Sequence, residues 1–222
     1  MTNDQFPISN KFSNLKFQLG NWLLVFGTCL YLVSCILVIP AFAWKITPEL
    51  KQEIAEKQLE VRLFPNNPHT HFDLAITYAY SNRIEEGYVE LKKANDLDKN
   101  YAPRVIKMYQ DAVLDDPNDW KLHFRLAFGY YFGGRKKEAV SEFEKVIQLD
   151  PNNLFAYGFI GTIYADLNDF KKGTENVRKA LKIDSNVAVL HFLMAQAYFH
   201  DGKKSEGIAE SIETLRLKAL GY

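Results

Sequence analysis

Three of the five histidines open the same dipeptide: His71-Phe72, His123-Phe124 and His191-Phe192 stand in HFDLA, HFRLA and HFLMA. Imidazole beside charge is the material of acid-base catalysis and of zinc ligation. The stretch LHFRLA (122–127) adds Arg125 in apolar company, the make-up of a small ligand pocket. The spacing argues against both uses. His69 and His71 are two residues apart and so fall on different faces of a helix. A recurring local frame points instead to one structural slot used three times. Around these residues there is no HExxH, no glycine-rich phosphate loop, no CxxC pair and no serine or cysteine nucleophile with a base placed beside it. Glu85-Glu86 and Asp115-Asp116 are adjacent acids on helix or turn surfaces, suited to solvation and capping rather than to paired acid and base. The reading is of a protein that is not an enzyme, with no catalytic residues, no metal site and no cofactor.

Lysine plus arginine equal aspartate plus glutamate at 27 each, so no excess of charge recommends nucleic acid as a partner. The basic groups Arg135-Lys136-Lys137, Lys171-Lys172 and Lys203-Lys204 recur at one place in the pattern and have acids close by, which reads as a solvated edge.

The elements that position these residues differ along the chain. Trp22 to Trp44 runs 23 residues without a charge. As a helix it reaches roughly 34 Å, enough for a hydrocarbon layer of about 30 Å, and a tryptophan stands at each end where headgroups lie. This is the expected single transmembrane helix (22–44), preceded by a short polar tail (1–21), and it places the chain at a membrane, read as a bacterial cell membrane. Two rival readings fit less well: Ala41-Phe42-Ala43 has the form of a cleavage site, and Leu32-Val33-Ser34-Cys35 that of a lipobox. The run is longer than a typical signal core, and Cys35 is followed by further apolar residues. Lys11 and Lys16 before the run and Lys45, Lys51, Lys57 and Arg62 after it leave the side of the following domain open. Cys29 and Cys35 are the two cysteines, so no disulfide framework reveals the compartment.

Beyond the span, helix breaks recur at LFPNN, LDKN, DDPND, LDPNN and IDSN, and the asparagines at 66, 100, 118, 152 and 186 are separated by 34, 18, 34 and 34 residues. A fixed period of this size marks a repeat architecture. Within 120–153, Leu126, Tyr130, Ala139, Phe143, Val146 and Ile147 keep helical spacing on either side of Gly133-Gly134, which predicts a helix, a tight turn and a second helix.

This pattern resembles the tetratricopeptide repeat (TPR) family. Unit 120–153 supplies His123, Leu126, Ala127, Tyr130, Ala139, Phe143, Val146 and Pro151 at the family's marker positions. Unit 154–187 supplies Tyr157, Ile160, Gly161, Tyr164, Gly173, Val177 and Ala180, with Ser185 where proline is usual. Unit 68–101 gives His71, Leu74, Ala75, Tyr78, Gly87, Leu91 and Ala94, and unit 188–221 gives His191, Met194, Ala195, Tyr198 and Gly207 before weakening at Ser211 and Thr214. The histidines then occupy the fourth position of their units, on the order of 10 Å from one another across packed helices. That is too far for shared metal bonds of about 2 Å. The 18-residue interval predicts an extra helix at about 103–115, and Thr47-Pro48 starts a connecting helix (46–64) whose Leu50, Ile54 and Val61 share a face.

The resemblance implies an all-α superhelix of stacked hairpins, an α-solenoid, whose first-helix positions 5, 9 and 12 line a concave groove. Those residues are Phe72, Ile76 and Ala79; Phe124, Phe128 and Tyr131; Gly158, Thr162 and Ala165; and Phe192, Gln196 and Phe199. None is lysine, arginine or asparagine, so the carboxylate clamp by which some family members hold a partner's C-terminus is not expected. The expected function is a membrane-anchored scaffold that binds a protein or peptide partner, an amphipathic helix or extended apolar segment, in an aromatic groove. The alternative is an assembly protein that self-associates as a homo-oligomer through its array. Packing of the same rings inside the array would leave them unavailable to either.

Overall fold

The computed structural model describes residues 46–221. The apolar run Trp22–Trp44 lies outside them, and among the described residues no helix is long and apolar enough to cross a membrane. The described chain is helical: α1 (Pro48–Leu63), α2 (Pro68–Ala79), α3 (Ile84–Leu97), α4 (Tyr101–Asp115), α5 (Trp120–Phe132), α6 (Lys136–Leu149), α7 (Leu154–Asp166), α8 (Phe170–Ile183), α9 (Ala188–His200) and α10 (Lys204–Ala219).

Short polar residues set the helix starts. The side chains of Thr47, Asn67, Asp119, Asn153 and Asp169 each accept a hydrogen bond from a backbone N–H in the first turn that follows. Pro48 and Pro68 sit in first turns, where no amide partner is lost. Four hairpins follow: α2–α3, α5–α6, α7–α8 and α9–α10. Each turns through one left-handed residue at the same place in its unit, Asn82 (φ 57°), Gly134 (φ 76°), Asn168 (φ 62°) and Gly202 (φ 73°). Asparagine and glycine are the residues that adopt this conformation at least cost.

Small residues let the paired helices approach. A Cβ on Gly87 would come within 2.8 Å of the Ala75 carbonyl, and one on Gly161 within 3.0 Å of the Gly173 carbonyl. Leu126, Tyr130, Ala139, Phe143 and Val146 are buried between α5 and α6 and their neighbours. α4 is not part of a hairpin. Its Val105, Ile106 and Tyr109 are buried, and Ile106 packs on Gly129 and Gly133 of α5. α1 lies on α2, where Ile54, Leu74 and Tyr78 form a cluster with Ile46, Leu50 and Val61. The opposite end is bare: Ile208, Ile212 and Leu215 on α10 are 46%, 62% and 59% exposed.

Candidate functional site

The first-helix residues expected to line a groove divide into two groups. Phe72, Ile76 and Phe124 are fully buried and Phe128 is 7% exposed. Phe72 packs on Tyr101 and Tyr109 of α4 and on Phe132 of α5. Phe124 and Phe128 join Phe143 and Phe159 in one cluster whose ring centroids are 4.6 to 5.9 Å apart. These four residues therefore present no open surface, which corrects the expectation of a continuous aromatic groove. The extra helix α4 and the ring of Phe159 supply the apolar neighbours that the expectation assigned to a partner. Tyr131 is half-buried and donates to Asp166 at 2.9 Å across to α7, so its hydroxyl is also engaged. Phe192 is half-buried on α9.

The remaining three, Thr162, Gln196 and Phe199, come together. They line a cleft of about 420 Å³ bounded by α7, α8 and α9, with Ala165, Phe170 and His200 on its other walls. The cleft exists because its floor is small: Gly161, Gly173, Thr174 and Ala197 leave space where larger side chains would close it. The rings of Phe170 and His200 stack with centroids 3.5 Å apart, forming one firm wall. Polar groups at the rim come from Thr162, Thr174, Gln196 and His200, an apolar volume with a few hydrogen-bonding groups around it. Phe170, Thr174 and His200 lie outside first-helix positions 5, 9 and 12, so the position rule missed them. The signal available was the small pair Gly161 and Gly173 facing one another in a unit that also carries Ala165.

Arg125, the charged member of LHFRLA, lies in a buried network. It donates to Glu53, Thr77 and Tyr80 and to the Asp73 backbone carbonyl, at 3.1 to 3.3 Å. Tyr109 donates to Asp73, and Lys121 and Tyr80 donate to Glu53. The network ties α1, α2, α4 and α5 together. Burial pushes the Asp73 carboxyl up, but the charges of Arg125, His69 and Lys57 and the Tyr109 hydrogen bond outweigh it and hold the group below the usual range. Glu53 is held low in the same way: burial is outweighed by hydrogen bonds from Lys121 and Tyr80 and by the charges of Lys121 and Arg125. The Tyr80 phenol is pushed up, by burial first and then by Glu53. Every partner is satisfied, so the arrangement secures helices and exposes no reactive group. The signal for it was present: Asp73 and Arg125 hold the sixth position of their units, where the other two have Phe159 and Leu193. His71, His123 and His191 each lie between a second-helix glutamate and a loop carbonyl. Among the described residues no group of three or more His, Cys, Asp or Glu is placed to hold a metal ion.

Comparison with known proteins agrees with this architecture. Residues 120–153 and 156–187 match models of the tetratricopeptide repeat. The Hsp70-Hsp90 organizing protein of Triticum aestivum is 30% identical over 98 residues, 44% of this chain and 17% of that protein. Tetratricopeptide repeat protein 1 of Schizosaccharomyces pombe is 28% identical over 124 residues, 50% of this chain and 12% of that protein. The chain thus spans less than a fifth of the length of these relatives. The solved MamA RS-1 ArsTM double mutant superposes with a TM-score of 0.51 at 15% identity, over 78% of this chain and 86% of the other. MamA MSR-1 gives 0.51 at 16% identity, over 78% and 95%. At these identities the likeness is one of fold.

Proposed function

We propose that this chain, which carries tetratricopeptide repeats, is a binding scaffold that holds an apolar side chain of a partner protein in the cleft between α7, α8 and α9. The cleft carries the reading: it is the place where Thr162, Gln196 and Phe199 meet around open apolar space. A partner leucine or phenylalanine buried there contributes roughly 1.5–3 kcal/mol. Thr162, Thr174 and Gln196 at the rim are suited to hydrogen-bond the backbone of the segment that carries it. No lysine, arginine or asparagine lines the cleft, so a terminal carboxylate is not the group recognised. A relative named for organising Hsp70 and Hsp90 supports a role in protein association, without extending those partners to this chain. The proposed mechanism is equilibrium binding. The uncharged run Trp22–Trp44 is proposed as an anchor that holds the array at a membrane and raises the local concentration of whatever the cleft takes.

The bare edge of α10 favours a second reading, self-association. Ile208 and Leu215 correspond in the repeat to Val140 and Ile147 of α6, which the next first helix covers, yet they stand exposed. One experiment separates the readings. A photo-crosslinking residue placed at Gln196 in the full chain should yield an adduct with a different protein, and Ala165→Trp, which fills the cleft, should abolish it. The same residue at Lys145 on α6 serves as the control. An adduct joining two copies of the chain would favour assembly, and an adduct that survives Ala165→Trp would contradict the cleft as the site.

A further inference from the structure

Three histidines are held at both ring nitrogens. His71 Nδ1 is 2.6 Å from Glu90 Oε2 while its Nε2 is 2.8 Å from the Pro65 carbonyl. His123 stands 2.7 Å from Glu142 and 3.0 Å from the Pro117 carbonyl. His191 stands 2.6 Å from Glu210 and 2.8 Å from the Ser185 carbonyl. In each case the glutamate is 19 residues further on, in the second helix, and the carbonyl six residues back, in the preceding loop. One ring therefore pins a loop, a first helix and a second helix. Unit 154–187 is the internal contrast, because Tyr157 takes the histidine position and Asn176 the glutamate position. Histidine and glutamate occur together three times and are replaced together once.

The partners decide the proton count. A carbonyl oxygen only accepts, and so does an ionised carboxylate. A neutral imidazole has one N–H and would set its other nitrogen's lone pair against an oxygen 3.0 Å away or closer. Burial pushes Glu90 up, but hydrogen bonds from Lys93 and His71 outweigh it and hold the carboxyl below its ordinary range, so the acceptor is ionised. Both ring nitrogens must then donate. The charged groups facing the rings come from the second helices: Glu90 with Lys93 behind it, Glu142, and Glu210 with Glu213 and its partner Arg216 nearby. From the loops the rings meet backbone carbonyls.

We propose that His71, His123 and His191 are proton-operated locks, imidazolium in the closed units, which tighten the array as pH falls from about 8 to about 6, the range in which histidine changes charge. The sign follows from linkage. A ring that holds two protons in the folded unit binds a proton on folding above neutrality, so stability falls as pH rises. The lock acts at 71, 123 and 191 and leaves unit 154–187 without one.

Two measurements on the full chain test this. Nitrogen-15 NMR of the imidazole rings at pH 7.5 should show three histidines with both nitrogens protonated; a neutral pattern in all five would overturn the proposal. Thermal unfolding at pH 6 and pH 8 should show a difference that shrinks in the triple variant His71→Gln, His123→Gln, His191→Gln. Because that variant removes packing as well, the decisive comparison adds a lock: Tyr157→His with Asn176→Glu should widen the difference by about 2–4 °C for an array of this size. A difference unchanged by the added pair would overturn the proposal.

Discussion

Arg125 on α5 donates to the Asp73 backbone carbonyl on α2 at 3.3 Å and lies 3.5 Å from the Asp73 carboxylate. Both side chains are below 10% exposed, and α1 closes the group from one side through Glu53. Removing one member of such a set leaves a buried charge without its partner, which costs more than the intact set contributes. Arg125→Leu should lower stability by about 3–5 kcal/mol in chemical denaturation. A loss no larger than that of an exposed substitution, about 0.5 kcal/mol, would mean that the network does not bind α1, α2 and α5 together.

The same network sets the acid limit. Asp73 and Glu53 have folded values below their ordinary ones. Their contribution is present above the unfolded carboxylate value of about 4 and is lost as pH falls through the folded value. Thermal unfolding followed from pH 5 downward should show a falling midpoint, and Asp73→Asn should flatten that fall. This slope is opposite in sign to the histidine effect and lies in a separate pH window, so the two can be read from one titration.

The hairpins were legible because their determinants are local and repeat. Asparagine spacing of 34 residues, glycine or asparagine in the turns and small residues at Ala75, Gly87, Gly161 and Gly173 each follow from backbone geometry alone. The groove was legible only in part, because exposure of a first-helix residue depends on what packs against it from elsewhere. Phe72 meets Tyr101 and Tyr109 from α4, and Phe124 meets Phe159 from the next unit. Position in the repeat cannot report such neighbours. Thr162, Gln196 and Phe199 stay accessible because Gly161, Gly173 and Ala197 leave a gap beside them.

Close approach of α2 and α3 rests on Gly87. A Cβ there would stand 2.8 Å from the Ala75 carbonyl and 3.4 Å from Tyr78 Cβ, and the carbonyl belongs to helix backbone that cannot swing aside. Gly87→Ala should therefore destabilise by about 1–3 kcal/mol, despite alanine's better helix propensity. A stabilised variant in thermal unfolding would show that the hairpin opens at little cost.

The division between core and cleft residues predicts two distinct responses. Phe124→Ala, at a fully buried ring, should cost about 3–5 kcal/mol. Gln196→Ala, at an exposed cleft residue, should leave stability within about 0.5 kcal/mol. Denaturation midpoints of the two variants check this, and equal losses would erase the distinction.

The central claim is that the space between α7, α8 and α9 receives an apolar side chain. Once the segment crosslinked from Gln196 is identified, its affinity for the full chain and for the Ala165→Trp variant can be measured by calorimetric titration. A loss of about tenfold or more, equivalent to about 1.4 kcal/mol, with an unchanged melting temperature is the predicted result. Equal affinity for the two proteins would contradict the claim.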